Sequence, residues 1–184
     1  VWGGGYVDDT SQYVDTMDYV TISTTGNASD FGNLTANSSS TAAGTSNGTR
    51  GLFAGMFNNN VIEYITVATP GNSTDFGDMG GTMTRGNAES NGSRGVLFKF
   101  NTIEYVSIDT TGNAATFGSP ATSQNQRASG SNDTYALLAG GNDTINNIEY
   151  ITTANLGNGT DFGDLSAATR EPCGTRNATR MTIN

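Results

Sequence analysis

Residues Val61–Met79 read VIEYITVATPGNSTDFGDM, and the same phrase returns along the whole chain. Met17–Leu34 reads MDYVTISTTGNASDFGNL, Ile103–Ser119 reads IEYVSIDTTGNAATFGS, and Ile148–Leu165 reads IEYITTANLGNGTDFGDL. Its tyrosines, Tyr19, Tyr64, Tyr105 and Tyr150, lie 45, 41 and 45 residues apart, and Phe31, Phe76, Phe117 and Phe162 keep step with them. A period in this range is the mark of a repeat architecture, in which each unit is stabilised by its neighbours.

Between the copies lies a second recurring piece, a strand of small residues opened by Arg or an equivalent. It reads VWGGGY (Val1–Tyr6), RGLFAGMF (Arg50–Phe57), RGVLFKF (Arg94–Phe100) and TYALLAGG (Thr134–Gly141), with RMTIN (Arg180–Asn184) as a fifth copy. The chain therefore reads as one repeat domain, 1–184, with units at about 1–49, 50–93, 94–133 and 134–179 and an extra strand at 180–184. Residues 1–6 read as a strand, 7–16 as a polar loop, and 17–23 as a strand with period-2 alternation. Both faces of that strand carry apolar groups, so both are expected to be covered. Gly-Asn pairs at Gly26, Gly71, Gly112 and Gly157 supply turns. The Phe after each turn is the only large apolar group nearby and is placed in the core.

Composition limits the classes available. Hydrophobic residues make up 34% and charged residues only 14%. The filler is Gly, Asn, Ser and Thr, which disfavours long helices because those side chains compete for backbone hydrogen bonds. The net charge is −9 and Lys99 is the only lysine. Phosphate neutralisation needs clustered cations, so nucleic-acid binding is not expected. No apolar run approaches about 20 residues, so no membrane insertion by a helix is expected. Cys173 stands alone and histidine is absent. An internal disulfide, a Cys-based metal cluster and His-based acid–base or metal chemistry are thereby removed.

Three or four short strands per period, separated by turns, fit a β-propeller blade, with a β-solenoid as the structural rival. The units resemble the kelch repeat on several counts. Strands end in Gly3-Gly4 and Gly140-Gly141 (Ala54-Gly55 and Phe98-Lys99 in the middle units), a Tyr strand follows, and Arg85, Arg127 and Arg170 precede later strands. Phe stands where kelch blades carry Trp. The resemblance implies an all-β, kelch-like β-propeller of four repeat units, possibly part of a larger propeller. NTIEYVSIDTTGNAATFG (Asn101–Gly118) is also similar to repeat units of proteins from bacteriophages of marine cyanobacteria. That likeness implies a non-enzymatic structural or appendage protein of a phage particle (tail, fibre or surface decoration), located on the virion or extracellularly. Its implied partners are other virion proteins, copies of itself, or a host-surface glycan. The alternative is a secreted bacterial cell-surface adhesin or glycan-binding propeller.

Candidate sites follow from the same alignment. Asp75/Asp78 and Asp161/Asp164 flank Phe-Gly and could offer oxygens to Ca²⁺, or could bond turn amides instead. Glu63, Glu104 and Glu149 precede the tyrosines, and Arg50 and Arg94 open the small-residue strands. Arg–Glu pairs from unit to unit are one expectation for them, and solvated glutamates the other. Regular recurrence assigns the Tyr and Phe rings to packing. Tyr6, Tyr13 and Phe57 depart from the repeat and are the ligand candidates. No catalytic constellation emerges, no cofactor is expected apart from the possible calcium, and a carboxylate-only glycosidase is the remaining enzyme reading. There are five small-residue strands against four Tyr units, so a terminal strand is surplus. It belongs to a longer propeller, lies loose, or pairs with a neighbouring subunit head to tail.

Overall fold

The structure, a computed structural model, describes residues 1–9, 11–38, 43–55 and 59–184, with residues 36–38 described by backbone alone. Every named element is a β-strand, and every ladder is antiparallel. The first sheet holds β1 (Trp2–Val7), β2 (Gln12–Tyr19) and β3 (Ser29–Ser38). The second holds β4 (Ala43–Ser46), β5 (Arg50–Ala54), β6 (Val61–Thr66) and β7 (Thr74–Asp78). The third holds β8 (Asn87–Ser90), β9 (Arg94–Phe98), β10 (Ile103–Ser107) and β11 (Ala115–Gly118). The fourth holds β12 (Ala128–Ser131), β13 (Tyr135–Ala139), β14 (Ile145–Thr152) and β15 (Thr160–Thr169). A hairpin of β16 (Gly174–Arg176) and β17 (Met181–Ile183) ends the chain. Strands follow chain order within each sheet.

Asparagine sets the turn between the first two strands of a unit. Asn47 Oδ1 accepts from the Thr49 and Arg50 amides (3.1 and 2.8 Å), and Asn91, Asn132 and Asn177 repeat the arrangement. Three of the small-residue strands need one glycine at positive φ: Gly4 at the bulge inside β1, and Gly55 and Gly140 just past β5 and β13, have φ of 70°, 78° and 62°, which a Cβ disfavours.

The Asp-Phe-Gly phrase is a β-bulge. Glu63 lies opposite Asp75 and Ile62 opposite Gly77, so Phe76 is the extra residue on the outer strand. The same slip occurs at Phe31, Phe117 and Phe162. A bulge re-aims a side chain, and each Phe ring meets its unit's Tyr edge-on, with centroids 5.8–6.1 Å apart. The Asp carboxylate holds the bulge: Oδ1 of Asp30, Asp75 and Asp161 accepts from the N–H of Gly32, Gly77 and Gly163. Those glycines have φ of 138–141°. Thr116 replaces the Asp in the third unit, and Gly118 does not take that positive φ.

Core forms between sheets. Phe31 shares a buried cluster with Ile65 of the next unit, Phe76 with Val106 and Ile108, and Phe117 with Ile151. The edge strands β4, β8 and β12 of successive sheets, and β16 of the final hairpin, touch in succession. Among the described residues no ladder joins β16 or β17 to the first sheet.

Three expectations need correction. The strand expected at 17–23 starts at Gln12 and ends at Tyr19, so the polar loop is much shorter than 7–16. Nor is the 17–23 segment covered on both faces: Ile22, in the turn past the strand, is 99% exposed. Phe162 is 61% exposed, unlike Phe31, Phe76 and Phe117, which are buried. The cause at Phe162 lies in the neighbouring unit. A Phe is covered by the unit that follows it, and of the residues aligned with Ile22, Ile108 and Thr153 are buried while Val67 stays 37% exposed. Phe162, in the last unit, has no such neighbour among the described residues.

Candidate functional site

The chemistry of this chain is concentrated at the joints between units. Each joint begins with the Gly-Asn turn of one unit lying on the Phe-Gly bulge of the unit before. The Gly71 N–H donates to the Phe31 carbonyl (2.6 Å), and the Ser73 N–H to the Asn33 carbonyl (2.9 Å). The Asn33 N–H donates in return to Asn72 Oδ1 (3.0 Å). The next joint repeats this with Gly112 on Phe76, Ala114 on Asp78, and Asp78 N–H on Asn113 Oδ1. The last repeats it with Gly157 on Phe117, Gly159 on Ser119, and Ser119 N–H on Asn158 Oδ1. The bulge glycine makes the approach possible. A Cβ on Gly32 or Gly77 would lie 2.5 Å from the carbonyl group of the opposing turn glycine, and one on Gly118 would strike that of Gly157.

The glutamates form the second part of the joint. All three are buried. Glu63 accepts from the Thr35 amide (2.9 Å) and hydroxyl in the preceding unit, and from Ser73 Oγ. Glu104 accepts from the Gly80 amide (3.2 Å), and Glu149 from the Thr122 amide (2.8 Å). The carboxylate thus clamps the backbone just past the preceding bulge. Its other partner differs at each joint: Ser and Thr at Glu63, Lys99 Nζ at 2.8 Å from Glu104, Arg127 at 3.0 Å from Glu149. The Arg127–Glu149 contact is ionic without hydrogen-bond alignment, and Arg127 Nε faces no acceptor. Burial pushes the Arg127 guanidinium below its ordinary value, and the Glu149 charge pulls it back. Buried pairs of this kind are costly to break on one side only.

Arg50 and Arg94 do not pair with the glutamates, contrary to the recurring Arg–Glu pairing expected. Arg50 lies 4.4 Å over the Tyr64 ring and donates to the Ile108 carbonyl of the next unit (2.8 Å). Arg94 does the same with Tyr105 (4.5 Å) and the Thr153 carbonyl (2.8 Å). Register explains this: Arg50 stands opposite Thr66, and Phe53 takes the place opposite Glu63. Tyr135 replaces the Arg in the fourth unit and meets Tyr150 edge-on at 5.4 Å.

Of the calcium candidates, Asp75 and Asp161 are engaged with bulge amides, while Asp78 and Asp164 stand one strand position beyond the bulge glycine, opposite Val61 and Asn147. Among the described residues no three Asp, Glu, His or Cys side chains gather as a metal would require. Tyr6 and Tyr13 are cross-strand partners on the first hairpin, both exposed, with ring centroids 5.1 Å apart. Phe57 lies outside the described residues.

One site was not anticipated from the sequence. A polar well of about 400 Å³ opens at one end of β4, β8 and β12, lined by Asn47, Glu89, Asn91, Asn132, Asp133 and Arg176. Glu89 accepts from Ser131 Oγ at 2.7 Å. Much of its rim comes from three turns of like sequence, Asn47-Gly48-Thr49, Asn91-Gly92-Ser93 and Asn132-Asp133-Thr134. A scan against protein-family models and a search of curated proteins found no match to this chain.

Proposed function

We propose that this chain is a non-enzymatic building element of a phage particle: a kelch-like propeller arc whose units are held at a fixed spacing while their loops face outward. The observation that carries this reading is where the reactive side chains are used. The three buried carboxylates, Arg50, Arg94 and Arg127 all make contacts that hold the protein together. A repeat that commits its charges in this way is organised for mechanical continuity. The likeness of Asn101–Gly118 to repeat units of cyanobacterial phages supplies the setting.

Mass spectrometry of purified particles from the source culture tests the reading. Peptides of this chain should appear at an abundance comparable with the tail proteins. Their absence from particles, with the chain recovered instead on bacterial cell surfaces, would overturn it in favour of a secreted adhesin.

Glycan binding at a host surface is favoured by the well. Amides and carboxylates around a cavity of this size suit hydroxyl-rich ligands. A glycan array comparing the native chain with Glu89→Ala checks it: a signal lost in the variant supports the well, and no signal with the native chain removes it.

A further inference from the structure

Glu89 and Arg176 break the repeat, and they do so in the same place. Aligned on the turn asparagines Asn47, Asn91, Asn132 and Asn177, the residue before the turn is Ser46, Ser90, Ser131 and then Arg176. The residue before that is Thr45, Glu89, Gly130 and Thr175. Side chains that recur in every unit are accounted for by packing between units, as the Tyr rings are. A charge that occurs once in such a series is not, and two of opposite sign line the polar well.

The fourth unit positions both charges. Ser131, buried at the end of β12, donates its hydroxyl to Glu89 Oε2 at 2.7 Å, with the Ser90 carbonyl as a longer alternative acceptor at 3.0 Å. The same hydroxyl oxygen accepts from Arg176 Nη2 at 3.4 Å. Gly130 makes room for the arginine stem: a Cβ there would lie 3.2 Å from Arg176 Cγ and 3.3 Å from its Cβ. Yet the two charges do not pair with each other, and among the described residues neither joins any ion pair. One serine thus holds a carboxylate and a guanidinium side by side. Each keeps hydrogen-bonding capacity to spare, a second oxygen on Glu89 and further N–H groups on Arg176.

Such a pair matches the chemistry of a sugar. A hydroxyl both donates and accepts, so two hydroxyls on adjacent ring carbons can give a proton to the carboxylate and take one from the guanidinium. Both bonds are charge-assisted and stronger than neutral ones. Asp133 adds a second carboxylate to the rim, and the protein carries a net charge of −9, so acidic sugars are repelled. The Arg176 charge disfavours an ammonium in turn. The volume of about 400 Å³ lies in the range of small-molecule sites.

We propose that the well binds an uncharged sugar residue through a vicinal diol, one hydroxyl donating to Glu89 and its neighbour accepting from Arg176. The inference rests on the reading of the well as a glycan site and narrows it to one chemical class and two residues. Ser131 and Gly130 are positioning residues, which act on the sugar only through the two charges.

Saturation-transfer NMR and chemical-shift titration on the 184-residue chain test this. The neutral probes are methyl glucoside, galactoside and mannoside, and the acidic probe is methyl glucuronoside. At least one neutral glycoside should bind, and the glucuronoside at least roughly tenfold more weakly. Glu89→Gln and Arg176→Gln remove a charge while keeping a polar side chain. Each should weaken the neutral glycoside at least roughly tenfold, because a charge-assisted bond is lost. Neither residue is buried, so both variants should fold, which circular dichroism verifies. Glu89→Gln should also narrow the gap between neutral and acidic probes, whereas a general disturbance of the well would weaken both alike. Variants that bind the neutral glycosides like the native chain would overturn the diol contact and leave glycan binding standing. Preference for the glucuronoside would do the same. No binding by any neutral probe overturns the inference, and if the glycan array is silent as well, the glycan reading falls with it.

Discussion

Replacing Gly77 by alanine tests the joint directly, because the chain contains its own controls. A Cβ at Gly77 would sit 2.5 Å from the Gly112 carbonyl group and 2.9 Å from the Asn113 nitrogen. These are backbone atoms, so no rotamer change relieves the contact and the turn must lift away. Lifting it breaks three hydrogen bonds, Gly112 N–H to Phe76, Ala114 N–H to Asp78, and Asp78 N–H to Asn113 Oδ1. Each is worth about 1 kcal/mol net. A side chain at φ 141° adds about 1 kcal/mol or more. The expected loss is about 4 kcal/mol, which for a chain of this length lowers the melting temperature by roughly 8–16 °C. Gly163→Ala has the same φ but meets nothing within 4 Å, so only the backbone cost remains, about 1 kcal/mol or roughly 2–4 °C. Gly26→Ala meets nothing and has no positive φ, so it should stay within about 0.5 kcal/mol of the native chain. Thermal melting by far-UV circular dichroism orders the three. If Gly77→Ala and Gly163→Ala melt together, the joint is not what the bulge glycine is for.

Other perturbations separate the remaining contacts. Arg127→Leu leaves Glu149 buried without its cation and should cost about 3–5 kcal/mol in urea unfolding; adding Glu149→Leu should restore much of that, and a further loss would argue against the pair's isolation. Phe76→Ala should cost about 3–5 kcal/mol, whereas Phe162→Ala should cost under about 1 kcal/mol in the monomer, because its ring already faces solvent. Glu63→Ala strands the Thr35 amide and loses Ser73, so a drop of about 3 kcal/mol is expected; an unchanged melting temperature counts against the clamp. Arg50→Lys keeps the charge but loses the planar stack on Tyr64 and should cost about 1 kcal/mol by the same assay.

Local chemistry was legible in the sequence because it repeats at short range. The four tyrosines and phenylalanines, the Gly-Asn turns and the all-β character needed only the period and the residue types. The turn-amide role of Asp75 and Asp161 was also within reach, since the carboxylate and its amide are two residues apart. What lies opposite a residue in the next unit was not legible. Glu63 and Thr35 are separated by 28 residues, and Asn33 and Asn72 by 39. An Arg and a Glu of opposite charge at recurring positions suggest a pair, yet strand register faces Arg50 to an aromatic ring and a carbonyl instead. The polar well escaped notice because its rim comes from separate turns brought together only when the inner strands converge.

By itself, the sequence determined which residues bulge, turn and stack within a unit, since those choices rest on φ preferences and contacts a few residues long. Only the tertiary structure decided what covers each unit. Burial of a Phe here is a property of the neighbour that follows it, which is why Phe76 and Phe162, alike in sequence, lie on opposite sides of the water boundary.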